Sequence, residues 1–332
     1  MQPADLTRAL LRYRDPDLRR ALFEIGVTVI PLVLLWSLMW LSLDVGYWLT
    51  LLLALPTAGF MVRLFIIQHD CGHGAFFANS AANAWLGRVL GVFTLTPFDY
   101  WKRNHAIHHG TSSNLDRRGI GDIDTLTVEE YRGKSRLGRF LYRCYRSAPV
   151  MFVIGPAYMF FLQHRLPLHQ MRQGWRPWVS TMATNLAIAA MVVGLAWLLG
   201  LKPFLMVHLP VMALAASMGV WLFYVQHQFE DVRWARGAEW GHHDAAMLGS
   251  SHYDLPAPLR WLSGNIGIHH IHHLNSRIPY YRLPSVLKDH PELKAVGRVT
   301  LRDSLRLARL SLWCERQQKL VSFKAALSQS SA

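Results

Sequence analysis

Hydrophobic and polar positions in this chain separate into blocks. Residues 1–24 are polar and basic, with Arg8, Arg12, Arg14, Arg19 and Arg20. An apolar run follows at about 22–43, and a second, at about 47–68, is broken only by Pro56 and Arg63. Two more occupy about 178–200 and 203–225. Roughly 20 helical residues cross a bilayer core, so each run is long enough to span. The links at Asp44-Val45-Gly46 and Gly200-Leu201-Lys202 are short, which predicts two helical hairpins.

The remaining segments read as a cap on this bundle. The stretch 81–96 is apolar, glycine-dotted and short of a span, as expected of an interfacial segment. Residues 148–162 are apolar but contain Gly155 and Pro156, which fits an interfacial or re-entrant piece better than a spanning one. From about Thr300 to Leu320, alternating basic and leucine positions predict a basic amphipathic helix, lying on the membrane or packed on the cap. The expected architecture is a single all-α integral membrane domain over 1–332. Its four transmembrane helices carry a helical cytoplasmic cap built from 1–21, 69–177 and 226–332.

Composition agrees with that division. The 332 residues are 52% hydrophobic with mean hydropathy +0.14, too apolar for an ordinary soluble domain. The formal charge of +14 fits either nucleic-acid binding or a membrane protein weighted toward the cytoplasm. No nucleic-acid motif accompanies the charge, and the long apolar runs favour the membrane reading. A long polar lead containing acidic residues is poor signal-peptide material, so the first run reads as retained. Three cysteines, Cys71, Cys144 and Cys314, show no Cys-x-x-Cys spacing and fit a reducing compartment. Two hairpins put both termini and the central loop on one side. The basic residues select the cytoplasm as that side.

Histidine spacing supplies the chemistry. His69-Asp70-Cys71-Gly72-His73 is an H-x-x-x-H, and His105-Ala106-Ile107-His108-His109 is an H-x-x-H-H. His269-His270-Ile271-His272-His273 repeats the second spacing, and His227 stands alone at the end of the fourth run. Residues three and four apart share a helix face, and imidazole is the commonest metal ligand among side chains. The topology brings all these groups to one membrane face. Candidate ligands are His69, His73, His105, His108, His109, His227, His269, His272 and His273. His270 points about 100° from His269 and reads as a partner behind the ligands. His242 and His243 are the substitutes for His227. His164, His169, His208, His252 and His290 read as structural or exposed.

Nine imidazoles exceed the about four to six ligands of one ion, so two ions are expected. Imidazole does not choose among zinc, copper, iron and nickel. Bound histidines usually give their second nitrogen to a carboxylate, carbonyl or water. Asp70, Glu230 and Asp231 are candidates for that role, and Asn265 is a candidate holder of a metal-bound water. Arg63, about 9 Å deeper along its helix than His69, either reaches to the interface or has a buried partner.

At these residues the chain resembles the membrane fatty acid desaturases, the histidine-box family. Its three boxes match His69–His73, Asn104–His109 and Gly267–His273, and the family's extra ligand matches His227. The likeness runs from about 60 to 285. It includes Gly121-Asp122-Ile123-Asp124-Thr125-Leu126-Thr127 and Asn275-Ser276-Arg277-Ile278-Pro279, which look most like the bacterial acyl-lipid omega-6 (delta-12) branch. The resemblance implies two iron ions (Fe2+), O2 as co-substrate, and a cis double bond inserted into a long acyl chain held between the spans. The substrate would be linked to lipid, acyl carrier protein or CoA. The chain contains no His-Pro-Gly-Gly haem motif and no Gly-x-Gly-x-x-Gly, so a ferredoxin-like donor is expected. Two rivals come with this reading. A membrane di-iron hydroxylase, acetylenase or conjugase shares the boxes and differs in product. A metal transporter would place its ligands at the bilayer midplane, whereas these lie at span ends.

Overall fold

The structure, a computed structural model, describes residues 3–328. Four long apolar helices form its body: Leu18–Ser42, Tyr47–His73, Trp175–Leu199 and Leu201–His227. They match the four apolar runs, and each is long and apolar enough to cross a membrane. The second helix is central and packs against the first and the fourth. Its later half is buried nearly without interruption, from Thr57 to Cys71. The third is outermost and buries only Pro177, Thr181 and Thr184. Leu34, Leu52, Leu186, Val193 and Trp197 lie exposed on the bundle. Such an apolar outer surface suits lipid, where helices satisfy their own backbone groups. Pro31, Pro56 and Pro210 sit inside these helices, as membrane helices tolerate.

Shorter helices brace the bundle. Ser80–Phe93 crosses close to Phe98–Thr111 because two of its residues lack side chains. A Cβ on Gly87 would fall 2.2 Å from the Phe98 ring, and one on Gly91 2.4 Å from the Thr96 carbonyl. This segment keeps Trp85 and Val89 exposed. The stretch 148–162 is a π-helical turn, Val150–Ile154, running into the short helix Gly155–Phe161. It is not among the four membrane-length helices.

The cap departs from the all-helical expectation. It contains two small sheets, one pairing Leu126–Thr127, Leu312–Cys314 and Lys319–Val321, the other pairing His252–Asp254 with Arg298–Thr300. The amphipathic helix expected over Thr300–Leu320 is therefore wrong. A helix covers only Leu301–Leu307, capped by Thr300 and Asp303, and the chain then turns into an antiparallel hairpin. Leu312, Trp313 and Cys314 are consecutively buried. A surface helix cannot bury three neighbours in a row, whereas a strand packed on both faces can.

Candidate metal centre

Each box sits where a helix ends or begins. Gly74 takes a left-handed φ of 65° and closes the second long helix by donating to the carbonyls of Asp70 and Cys71. That leaves His69 and His73 on its last turns. The fourth long helix ends at His227. Phe98–Thr111 carries His105, His108 and His109, with the Trp101 ring stacked 4.7 Å from His105. His269–Leu274 carries the third box, and all six of its residues are buried.

The nine side chains meet in two groups. His69, His73, His105, His109 and His272 form one, and His108, His227, His269 and His273 form the other. Within each group the ligand atoms all lie within 4.8 Å of one another. Helix geometry explains the division. Residues four apart are offset by about 40°, and residues three apart by about 60° the other way. The outer pair of each H-x-x-H-H therefore turns toward one group and the inner histidine toward the other. His105 and His109 take one side and His108 the second; His269 and His273 take one side and His272 the second. The groups adjoin, since the His109 and His273 rings stack at 4.1 Å.

The donor set fits metal. Nε2 atoms of His73 and His105 are 3.0 Å apart, those of His109 and His272 3.2 Å, and those of His227 and His269 3.0 Å. Imidazoles about 2.1 Å from one ion, at right angles, would be about 3 Å apart. Burial holds His105, His109, His269, His272 and His273 well below the usual imidazole pKa, and neighbouring imidazoles push the same way. Both influences favour the neutral form, whose lone pairs can bind a metal.

Behind the groups stand the outer partners. Asp70 faces Nδ1 of His69 at 3.3 Å, and its other oxygen accepts the Tyr280 backbone N–H at 2.7 Å. Asp122 pairs closely with Nδ1 of His108. The Gly249 carbonyl lies 3.2 Å from Nδ1 of His227. Glu230 does not join the site: it is exposed and pairs with Lys319. Asp231 is also exposed. After Gln228 the chain leaves helical conformation, so proximity to His227 in sequence does not carry these carboxylates inward. Asn265 instead reaches the Tyr280 carbonyl at 3.4 Å. His270 lies outside both groups, with Nε2 3.0 Å from the Leu293 carbonyl. His242 is exposed and His243 faces Asp244. Asp122 was missed as a partner, although it lies in one of the stretches that carried the family likeness. Replacing Asp122 with asparagine should weaken metal retention about 10–100-fold, while Glu230→Gln should leave it unchanged; metal content after dialysis against a chelator measures both.

Arg63 has a buried partner. It forms an ion pair with Glu24, both 1% exposed. It also donates to Thr28 at 3.1 Å and to the Trp261 carbonyl, and lies 4.1 Å over the Trp261 ring. Tyr280 donates its hydroxyl to the same Glu24 at 3.0 Å. Tyr280 thus joins this pair to Asp70, and through Asp70 to His69.

Four membrane-length helices beneath two adjoining histidine groups define a membrane-associated protein with a candidate two-metal centre. Residues 45–301 match the family model for fatty acid desaturases. The chain is 44% identical to a fatty acid desaturase of Bacillus subtilis (strain 168), over 96% of this chain and 90% of that protein. It is 27% identical to the sn-1 acyl-lipid omega-3 desaturase (ferredoxin) of Synechocystis, over 66% of this chain and 61% of that one. It is 22% identical to the sn-1 oleoyl-lipid 12-desaturase of Arthrospira platensis, over 79% and 74% respectively. The chain belongs to the fatty acid desaturase family: it is an oxidoreductase that desaturates acyl chains.

Proposed function

We propose that this protein inserts a cis double bond into a long acyl chain with two iron ions, molecular oxygen and an external ferredoxin-like donor. The observation carrying the reading is the convergence of nine imidazoles into two adjoining groups. The balance is R–CH2–CH2–R′ + O2 + 2 e⁻ + 2 H⁺ → R–CH=CH–R′ + 2 H2O. Iron supplies the redox change that oxygen reduction and removal of two hydrogens from an unactivated chain require, which redox-inert zinc does not. The nine histidines hold the ions. Asp70, Asp122 and the Gly249 carbonyl fix the ring orientations, and buried walls limit water. An alkyl chain offers no functional group at its reacting carbons, so position selects the site of attack. The donor reading is supported by the ferredoxin named for the Synechocystis relative, and an acyl-lipid substrate by the names of two relatives.

Expression in a host without polyunsaturated lipids should yield a new unsaturated fatty acid under oxygen and none without it. Gas chromatography with double-bond location reads the result. A hydroxylated chain as the sole product would replace this reading with the hydroxylase one.

The arginine-rich tail resists translocation, and supports an inner-membrane protein with both termini and the histidine groups in the cytoplasm. Reporter fusions after Gly46 and Leu201 should respond from the far side, and one after Ala332 from the cytoplasm. A fusion after Ala332 responding from the periplasm rejects this orientation.

A further inference from the structure

Outside the histidine centre, the cap holds a cavity of about 620 Å³. Its charged walls come from four separate elements. Arg260 comes from the helix Ala257–Leu262, Lys288 from Leu283–Asp289, Lys294 from the turn Pro291–Ala295, and Arg298 from the strand Arg298–Thr300. Asp254 is the one carboxylate of the lining, and Arg298 holds it through two contacts of 2.8 and 2.9 Å. The nearby acids are also engaged: Asp289 accepts from Tyr13 at 2.6 Å, and Glu292 faces His290 at 3.4 Å. Among the described residues, Arg260, Lys288 and Lys294 form no ion pair. Within the lining, three positive charges thus remain beyond the Arg298–Asp254 pair, in a recess where the field of like charges is focused.

Its level relative to the membrane follows from the helix on its wall. Ala257–Leu262 leans on the second long helix: Trp261 meets Phe60 edge-on at 5.9 Å and gives its carbonyl to Arg63. The Glu24–Arg63 pair lies near one end of both apolar runs: the 17 residues between Glu24 and Ser42 are mostly apolar, and as a helix they are about 26 Å long, close to a bilayer core. Leu259 and Trp261 are exposed beside Arg260, and tryptophan favours the headgroup level. On its inner side the cavity is walled by Ile268, the residue before His269.

We infer that this cavity binds the phosphate of an anionic phospholipid headgroup, placing the head of an acyl-lipid beside the third histidine box. The inference rests on the acyl desaturase reading for the role of the lipid, but binding itself does not. Lysine ammoniums and an arginine fork are the donors that recognise phosphate. A phosphate ester in this leaflet is a lipid head; free phosphate shares the chemistry and is separated by experiment.

Microscale thermophoresis on the full chain in detergent would compare dioctanoyl phosphatidylglycerol, dioctanoyl phosphatidylcholine and inorganic phosphate. Phosphatidylglycerol should bind at least about tenfold more tightly than the other two. Each basic residue facing an anionic lipid is worth about fivefold. The double variant K288Q/K294Q should therefore lose about 25-fold for phosphatidylglycerol, while K134Q, on an exposed turn elsewhere, should lose none. Equal binding of the two lipids by the unaltered chain overturns the proposal, as does a double variant that keeps the preference. Inorganic phosphate binding as tightly as phosphatidylglycerol overturns the lipid source. The two-lipid comparison needs no variant, so misfolding of K288Q/K294Q cannot obscure it. Selective binding without any new double bond in cells would sink the desaturase reading alone; a new double bond without selectivity would sink this inference alone.

Discussion

About two iron ions per chain are expected in purified protein, and alanine at any one of the nine converging histidines should abolish turnover. The group of His108, His227, His269 and His273 has four nitrogens, so each substitution there leaves three. The five-membered group keeps four. Changing a residue behind a ligand already costs about 10–100-fold in affinity or activity; removing a ligand should cost more. Iron loss should thus be deeper for His108→Ala or His273→Ala than for His73→Ala. His270→Ala and His290→Ala should keep both iron and turnover, because neither ring enters a group. Elemental analysis and product assay on the same preparations check the set. Full activity in His227→Ala would remove that residue from it.

The second large effect concerns stability. Arg63→Met leaves the Glu24 carboxylate, 1% exposed, with the half-exposed Arg20, 2.7 Å away, as its remaining cation. Breaking a buried pair from one side costs about 3–5 kcal/mol, and the Arg20 contact puts the expected loss toward the lower end. The double replacement Glu24→Gln with Arg63→Met removes the buried charge and should recover much of the loss. Thermal unfolding in detergent reads both, and a single variant as stable as the parent refutes the argument. The single variant should also loosen Tyr280, whose hydroxyl binds Glu24 and whose N–H binds Asp70. Iron retention is then expected to fall even below the unfolding temperature.

Much of this was legible from the chain. Runs of about twenty apolar residues specify helices of membrane length because lipid leaves the backbone no other partner. Repeats at three and four residues placed the histidines on shared faces, and the spans carried His69 and His227 to the same level. Their convergence is a property of the fold; their occupancy by iron is the proposal. The failures share one cause, which is that sequence adjacency is a poor guide once the chain leaves a helix. Glu230 and Asp231 sit beside His227 in sequence and face away from it in space. Asp122 is fourteen residues from His108 and lies against it. The strands were invisible for the same reason: Leu126–Thr127 pairs with Leu312–Trp313, and two residues are too few to show a period.

The division of each H-x-x-H-H between two groups has a thermodynamic consequence. Phe98–Thr111 and His269–Leu274 each contribute nitrogens to both groups. An ion taken up by one group would fix the rotation of both helices, and that rotation is what the other group needs. The ordering cost is borne by whichever ion arrives first, so the two uptake equilibria are linked with positive sign. Half-loaded chains should be scarce at any iron concentration, and the centre should fill and empty as a pair.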